Sequence, residues 1–179
     1  MKEVSIIFST PKKFHLSSYL LRTKTFGMGT PFSHTCLKIY STAYDRTLIY
    51  EANGEGIRAE EFSSWSGKNH IIYEREFKLS LERKISLIRF CIDHLGRKYN
   101  FKTIRYLFFW DKFKVLFGGG KDGPKSFICS EFAYYMLKDE VDRLYSSIGR
   151  ELPKSLEDMH PLELYKALTS LPPSAQNES

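Results

Sequence analysis

Cys129 is the residue of this chain best placed for nucleophilic chemistry. It stands in Ser126-Phe127-Ile128-Cys129-Ser130-Glu131-Phe132, after a loop too rich in glycine and proline for a helix, Gly118-Gly119-Gly120-Lys121-Asp122-Gly123-Pro124. From Cys129 onward, apolar or small residues fall at 129, 132, 133, 136 and 137, the spacing of a helix with one inward stripe. The spacing puts Cys129 on that stripe, at the start of the helix. Free backbone N–H groups and partial positive charge gather there, which favours a thiolate over a thiol. The same N–H groups can face a developing oxyanion. The placement equally suits an ordinary buried cysteine, since free cysteine is among the most buried residue types.

A thiolate needs a base to form it and to protonate the leaving group, and that base needs a group to orient it. His34, in Ser33-His34-Thr35 just after a turn, is the leading base. Glu51 lies inside an apolar run, Leu48-Ile49-Tyr50-Glu51-Ala52, where a carboxylate needs a partner to offset its desolvation. His34 is the partner expected. Both must then project from one face of a hairpin, which constrains its register or requires a bulge. A structural histidine and a solvent-facing glutamate are the plainer alternatives.

Rival chemistry is weaker. His34-x-Cys36 and Cys91-x2-His94 supply four zinc-type ligands, but neither spacing is that of a common structural zinc site, so no metal and no cofactor are expected. Cys36 would lack the field of a helix end. Glu131, two positions from Cys129 on a helix, points elsewhere. The glycine-rich loop lacks the phosphate-loop spacing. Tyr99 fits a cleft wall or a core position, and Ser33 and Ser130 flank the candidate base and nucleophile; these three are the expected substrate contacts.

The positioning elements are legible as patterns. Val4-Ser5-Ile6-Ile7-Phe8 reads as a strand, 15–26 as a short helix, and 27–31 as a turn. Residues 32–40 read as a strand with Leu37 and Ile39 on one side and His34, Cys36, Lys38 and Tyr40 on the other. Residues 48–52 complete an antiparallel hairpin, 57–60 are extended, and 69–75 form a further strand. Residues 80–95 read as a helix whose inward stripe is Leu81, Ile85, Ile88, Ile92 and Leu95, stopped by Gly96. Residues 104–117 lean helical. A capping box at 155–158 and a proline-opened helix over 161–168 follow.

The 179 residues fit one domain over 1–171, with 172–179 a polar, disordered tail. An apolar content of 42% marks a globular chain, not a disordered one. Three cysteines without regular spacing give no disulfide framework and point to a reducing compartment. The start carries an acid at Glu3 and no long apolar core, so no signal peptide is expected and the chain is assigned to the cytoplasm. No stretch approaches the roughly 18 apolar residues of a membrane span. A net charge of +6, spread along the chain, favours acidic partners weakly, and no nucleic-acid motif is visible.

Taken in order, Phe32-Ser33-His34-Thr35-Cys36-Leu37, Ile49-Tyr50-Glu51-Ala52 with Gly56-Ile57-Arg58, Leu95-Gly96-Arg97-Lys98-Tyr99-Asn100 and Ile128-Cys129-Ser130-Glu131-Phe132 resemble the circularly permuted NlpC-type papain-like cysteine peptidases, in their YiiX-like branch. The resemblance spans roughly residues 4–140. It implies an α+β fold with a small antiparallel sheet packed against helices and the nucleophile at a helix N-terminus. It implies Cys129 as nucleophile, His34 as base and Glu51 as orienter, acting on an amide bond in a peptide, isopeptide or cell-wall peptide. Acyl transfer or ester cleavage on the same scaffold is one alternative; a non-catalytic module that binds a small amine or peptide, or serves viral or phage assembly, is another. The chain departs from the family's usual pattern at Cys36, where a small residue or glycine is commoner, and in lacking an export signal.

Overall fold

Hydrogen bonding and apolar alternation build a five-stranded antiparallel sheet in the computed structural model, which describes residues 4–22, 29–42, 44–53, 55–97, 129–147 and 161–170. The strands are β1 (Val4–Pro11), β2 (His34–Ser41), β3 (Arg46–Asn53), β4 (Gly56–Glu61) and β5 (Asn69–Phe77), in the spatial order β4-β3-β2-β1-β5. The helices among the described residues are α1 (Leu16–Arg22), α2 (Phe62–Lys68), α3 (Leu81–Asp93), α4 (Cys129–Met136), α5 (Lys138–Ser147) and α6 (Pro161–Ser170). The result is a small α+β domain with an antiparallel sheet packed against helices. No described helix is long and apolar enough to cross a membrane.

Alternation divides the sheet into two faces. Val4, Ile6 and Phe8 of β1, Leu37 and Ile39 of β2, and Tyr50 and Ala52 of β3 bury against α3, α4 and α6 in the main core. Phe132, Ala133, Met136 and Leu137 pack there, as the spacing from Cys129 predicts. Each fully buried side chain of this size contributes roughly 1.5–3 kcal/mol. Phe8, Phe32 and Tyr165 close one end of this core with ring centroids 4.8 to 5.2 Å apart, and Tyr73 donates to Leu168 O at 3.0 Å to hold α6. Arg83 ties α3 to the next two helices through Met136 O at 3.0 Å and the Glu140 carboxylate at 3.0 and 3.2 Å. On the opposite face a smaller core gathers Ile7, Cys36, Ile49 and Trp65, with Phe62 against it.

One element went unread in the sequence, and one expectation is corrected. The segment 62–68 is a helix, α2, where the composition Phe-Ser-Ser-Trp-Ser-Gly-Lys gave no helical signal; Trp65 anchors it by burying in the smaller core. In α3 the buried residues are Lys84, Leu87 and Cys91, not the five-residue apolar stripe: Leu81, Ile85, Ile92 and Leu95 are 66%, 43%, 53% and 43% exposed, and Ile88 is half-buried. Arg83, bonded to Glu140 and to Met136 O, shares the inner side with the buried Leu87 and Cys91.

The other strands and the proline-opened α6 follow the pattern reading, and Gly96 takes the left-handed backbone expected of a helix stop, at φ 78°. Just beyond it, Gly96 N–H donates to Ile57 O at 2.8 Å and Ile57 N–H to Arg97 O at 2.9 Å, clipping the exit of α3 to the outer edge of β4. Gly56 makes this approach possible: a Cβ there would lie 2.5 Å from Arg97 O. The expectations for Gly27 and Met28, Tyr99, residues 104–117, the glycine-rich loop, the capping box at 155–158 and the tail at 172–179 fall outside the described residues.

Candidate functional site

The β2–β3 register answers the test that the sequence set. Leu37 pairs with Tyr50 and Lys38 with Ile49. One more step of the same register brings Cys36 opposite Glu51, with His34 two residues along on the same face. No bulge is needed. His34 Nε2 donates to Glu51 Oε2 at 2.8 Å.

Glu51 is buried, and its carboxylate is surrounded by donors. Trp65 Nε1–H donates to Oε2 at 2.9 Å; Arg58 reaches Oε1 through Nε at 2.7 Å and through its terminal nitrogen at 2.6 Å; Asn53 Nδ2 adds a longer bond at 3.3 Å. Burial alone would push the carboxyl up. The charge of His34, the hydrogen bonds from His34 and Trp65, and the Arg58 guanidinium outweigh it and hold Glu51 well below the usual carboxylate range.

Cys129, the first residue of α4, reaches the same imidazole from the helical layer. It is 6% exposed, and it acts on His34 closely enough to help raise that ring's pKa. Since Nε2 is taken by Glu51, Nδ1 is the ring nitrogen left for the sulfur. His34 thus sits at the end of the sheet, with Glu51 and Trp65 on one side and the helix of Cys129 on the other. Burial draws its pKa down, but the Glu51 charge and the hydrogen bonds with Cys129 and Glu51 exceed that and raise it from 6.5 to about 10. A protonated imidazole beside a sulfur favours the thiolate. An ion pair of this kind can attack an electrophilic carbon and then deliver a proton.

The remaining sulfurs have no such surroundings. Cys36 is buried, and loss of solvation together with the Glu51 charge pushes its thiol well above the ordinary value; burial does the same to Cys91. Among the described residues no group of three or more His, Cys, Asp and Glu side chains could hold a metal ion. His94, half of the supposed zinc pair, stacks on Phe90 with ring centroids 3.7 Å apart, and its Nδ1 lies 2.8 Å from Phe90 O.

The expected substrate contacts fare unevenly. Ser33 is buried beside His34; its N–H donates to Ser9 O at 3.0 Å, and its Oγ has no hydrogen-bond partner among the described residues. Ser130 belongs to α4, but its side chain, like all of Tyr99, is outside the described residues. Sequence reasoning missed Arg58 and Trp65. Arg58 had a readable signal: Asn53 pairs with Gly56, so the tight turn brings Arg58 opposite Glu51. Trp65 had only its type, as one of two tryptophans in the chain.

No family model matches the sequence, and neither curated proteins nor solved structures yield a match.

Proposed function

We propose that this chain is a cysteine-dependent hydrolase of the permuted papain-like kind, with the histidine strand ahead of the cysteine helix, and that it cleaves an amide bond through an acyl-enzyme. The observation that carries this reading is one imidazole engaged by both a thiol at a helix start and a buried carboxylate that is itself held by Arg58 and Trp65.

The charges favour a thiolate–imidazolium pair before substrate arrives. The Cys129 thiolate attacks the amide carbonyl carbon, a C–S bond forms, and the carbonyl oxygen takes the negative charge, facing the N–H groups at the start of α4. His34 Nδ1–H protonates the departing nitrogen and the C–N bond breaks, leaving a thioester and a neutral imidazole. That imidazole takes a proton from water as the water attacks. The C–S bond then breaks, releasing a carboxylic acid and restoring the ion pair. Glu51 stays ionised throughout; it holds the ring and stabilises its cation. Substrates of peptide, isopeptide or stem-peptide type share the required bond, and an amine or alcohol in place of water gives acyl transfer.

A second reading, binding without turnover, has one observation in its favour: the sulfur-bearing residue is only 6% exposed. Iodoacetamide at roughly pH 6 separates the two, because only a thiolate reacts. Fast, selective labelling of Cys129 over Cys36 and Cys91 is the outcome expected of the hydrolase. Slow labelling of all three, or none at Cys129, sinks it. A Cys129→Ala chain that keeps its biological effect supports the binding reading.

A further inference from the structure

The outer side of α3 carries an apolar seam. Leu81, Ile85, Ile88 and Ile92 of α3, with Leu95 in the turn just beyond it, alternate four and three residues apart, which is the a/d spacing of a heptad repeat, with isoleucine at both a positions. An isolated surface helix normally turns a polar side to solvent, yet four of these five side chains are exposed. Ile88 is half-buried against the main core, and its four exposed neighbours make a row of the apolar kind that marks an interaction site. The flanks of the seam differ. On one side Lys84 and Cys91 are buried in the domain; on the other Glu82 and Arg89 are exposed, opposite in charge and one heptad apart.

We propose that α3 is a self-association surface on which two copies of this chain pack antiparallel about a two-fold axis. In that register Leu81 meets Ile92 of the second copy and Ile85 meets Ile88 of the second copy, each contact occurring twice by symmetry. The exposed flanks then bring Glu82 beside Arg89 of the second copy, again twice, so the charges complement each other. The helix is short: its 13 residues span about 20 Å. The seam alone therefore buries less than the ~1,200 Å² of a stable complex, and the dimer belongs to the weak, concentration-dependent class. This inference is independent of the proposed chemistry.

Sedimentation velocity of the full chain across the micromolar range tests it. A dimer fraction that grows with concentration is expected, with Ile85→Lys plus Ile92→Lys giving a folded monomer by circular dichroism. Arg89→Glu alone should weaken association roughly tenfold, the scale of one unfavourable charge contact, and Glu82→Arg added to it should restore the original affinity. A monomer at every concentration overturns the proposal, as does a dimer indifferent to the seam or a double reversal that fails to restore. Two further results assign the seam to another occupant and also overturn it. One is a monomer whose fold is loosened by Ile85→Lys, which points to its own chain. The other is a monomer that cosediments with phosphatidylserine vesicles only while the seam is intact, which points to lipid.

Discussion

His34 Nε2 lies 2.8 Å from Glu51 Oε2, so the imidazole leans on a full negative charge and not on a neutral amide. A neutral acceptor would orient the ring equally well but would not hold its proton. The Glu51 charge, together with the contributions of Cys129, raises the ring's pKa to about 10, and in the proposed reaction His34 gives its proton to the departing nitrogen.

Glu51→Gln should therefore lower turnover by about 10⁴, the loss seen when a buried orienting aspartate becomes an amide, and should shift the alkaline limit of turnover toward neutral pH. Weakening the donors' hold on this buried group should also cost roughly 1–3 kcal/mol of stability, measured by urea unfolding. A variant with an unchanged pH profile would show that Glu51 does not control the ring.

Stability should fall in alkali. His34 titrates at 6.5 when unfolded and about 10 when folded, so its contribution is complete below pH 6.5 and is lost as pH rises through 10. Glu51, held below its ordinary 4.5, contributes fully above that value and loses its contribution as acid takes the pH down toward its folded value. Urea midpoints should be flat between 4.5 and 6.5 and decline above. The decline should be smaller in His34→Gln; an identical alkaline slope in the variant would count against the shift.

Trp65→Phe keeps a ring in the smaller core and removes the indole N–H that donates to Glu51 at 2.9 Å. Its cost should be roughly 1–3 kcal/mol in urea unfolding, with slower labelling of Cys129. A stability loss without any change in labelling would confine Trp65 to packing.

Gly56 has φ 126°, and a methyl group there would meet Arg97 O at 2.5 Å. Gly56→Ala should cost about 1–3 kcal/mol, visible in the thermal midpoint, and should free the Gly96 and Ile57 amides to exchange with deuterium.

The two faces of α3 give a contrast that is simple to measure. Leu87→Ala should cost 2 to about 5 kcal/mol, since Leu87 is buried in the main core. Ile85→Ala in dilute solution should stay within about 0.5 kcal/mol. Equal losses at the two positions would mean that the seam is packed within its own chain.

Much of this arrangement was readable from residue patterns. Strand alternation separated Leu37 and Ile39 from His34 and Cys36, and the spacing after Cys129 identified its inward stripe, because a single element imposes both periodicities. Interactions between elements escaped. The helix α2 forms from poor helix formers because Trp65 has a pocket to fill and Glu51 a donor to receive, and neither reason is local. The rotation of α3 misled for the opposite cause. Its most apolar side is its outer one, and a hydrophobic period reveals that a helix has a face without saying which neighbour that face meets. Arg58 was within reach, had the turn at Asn53 and Gly56 been carried through to its register.

The imidazole of His34 is clasped between the sheet's Glu51 and the helical layer's Cys129. A nascent or partly unravelled chain, with those layers apart, carries only an ordinary thiol. On the proposed mechanism the protein acquires its reactive sulfur in the last act of assembly.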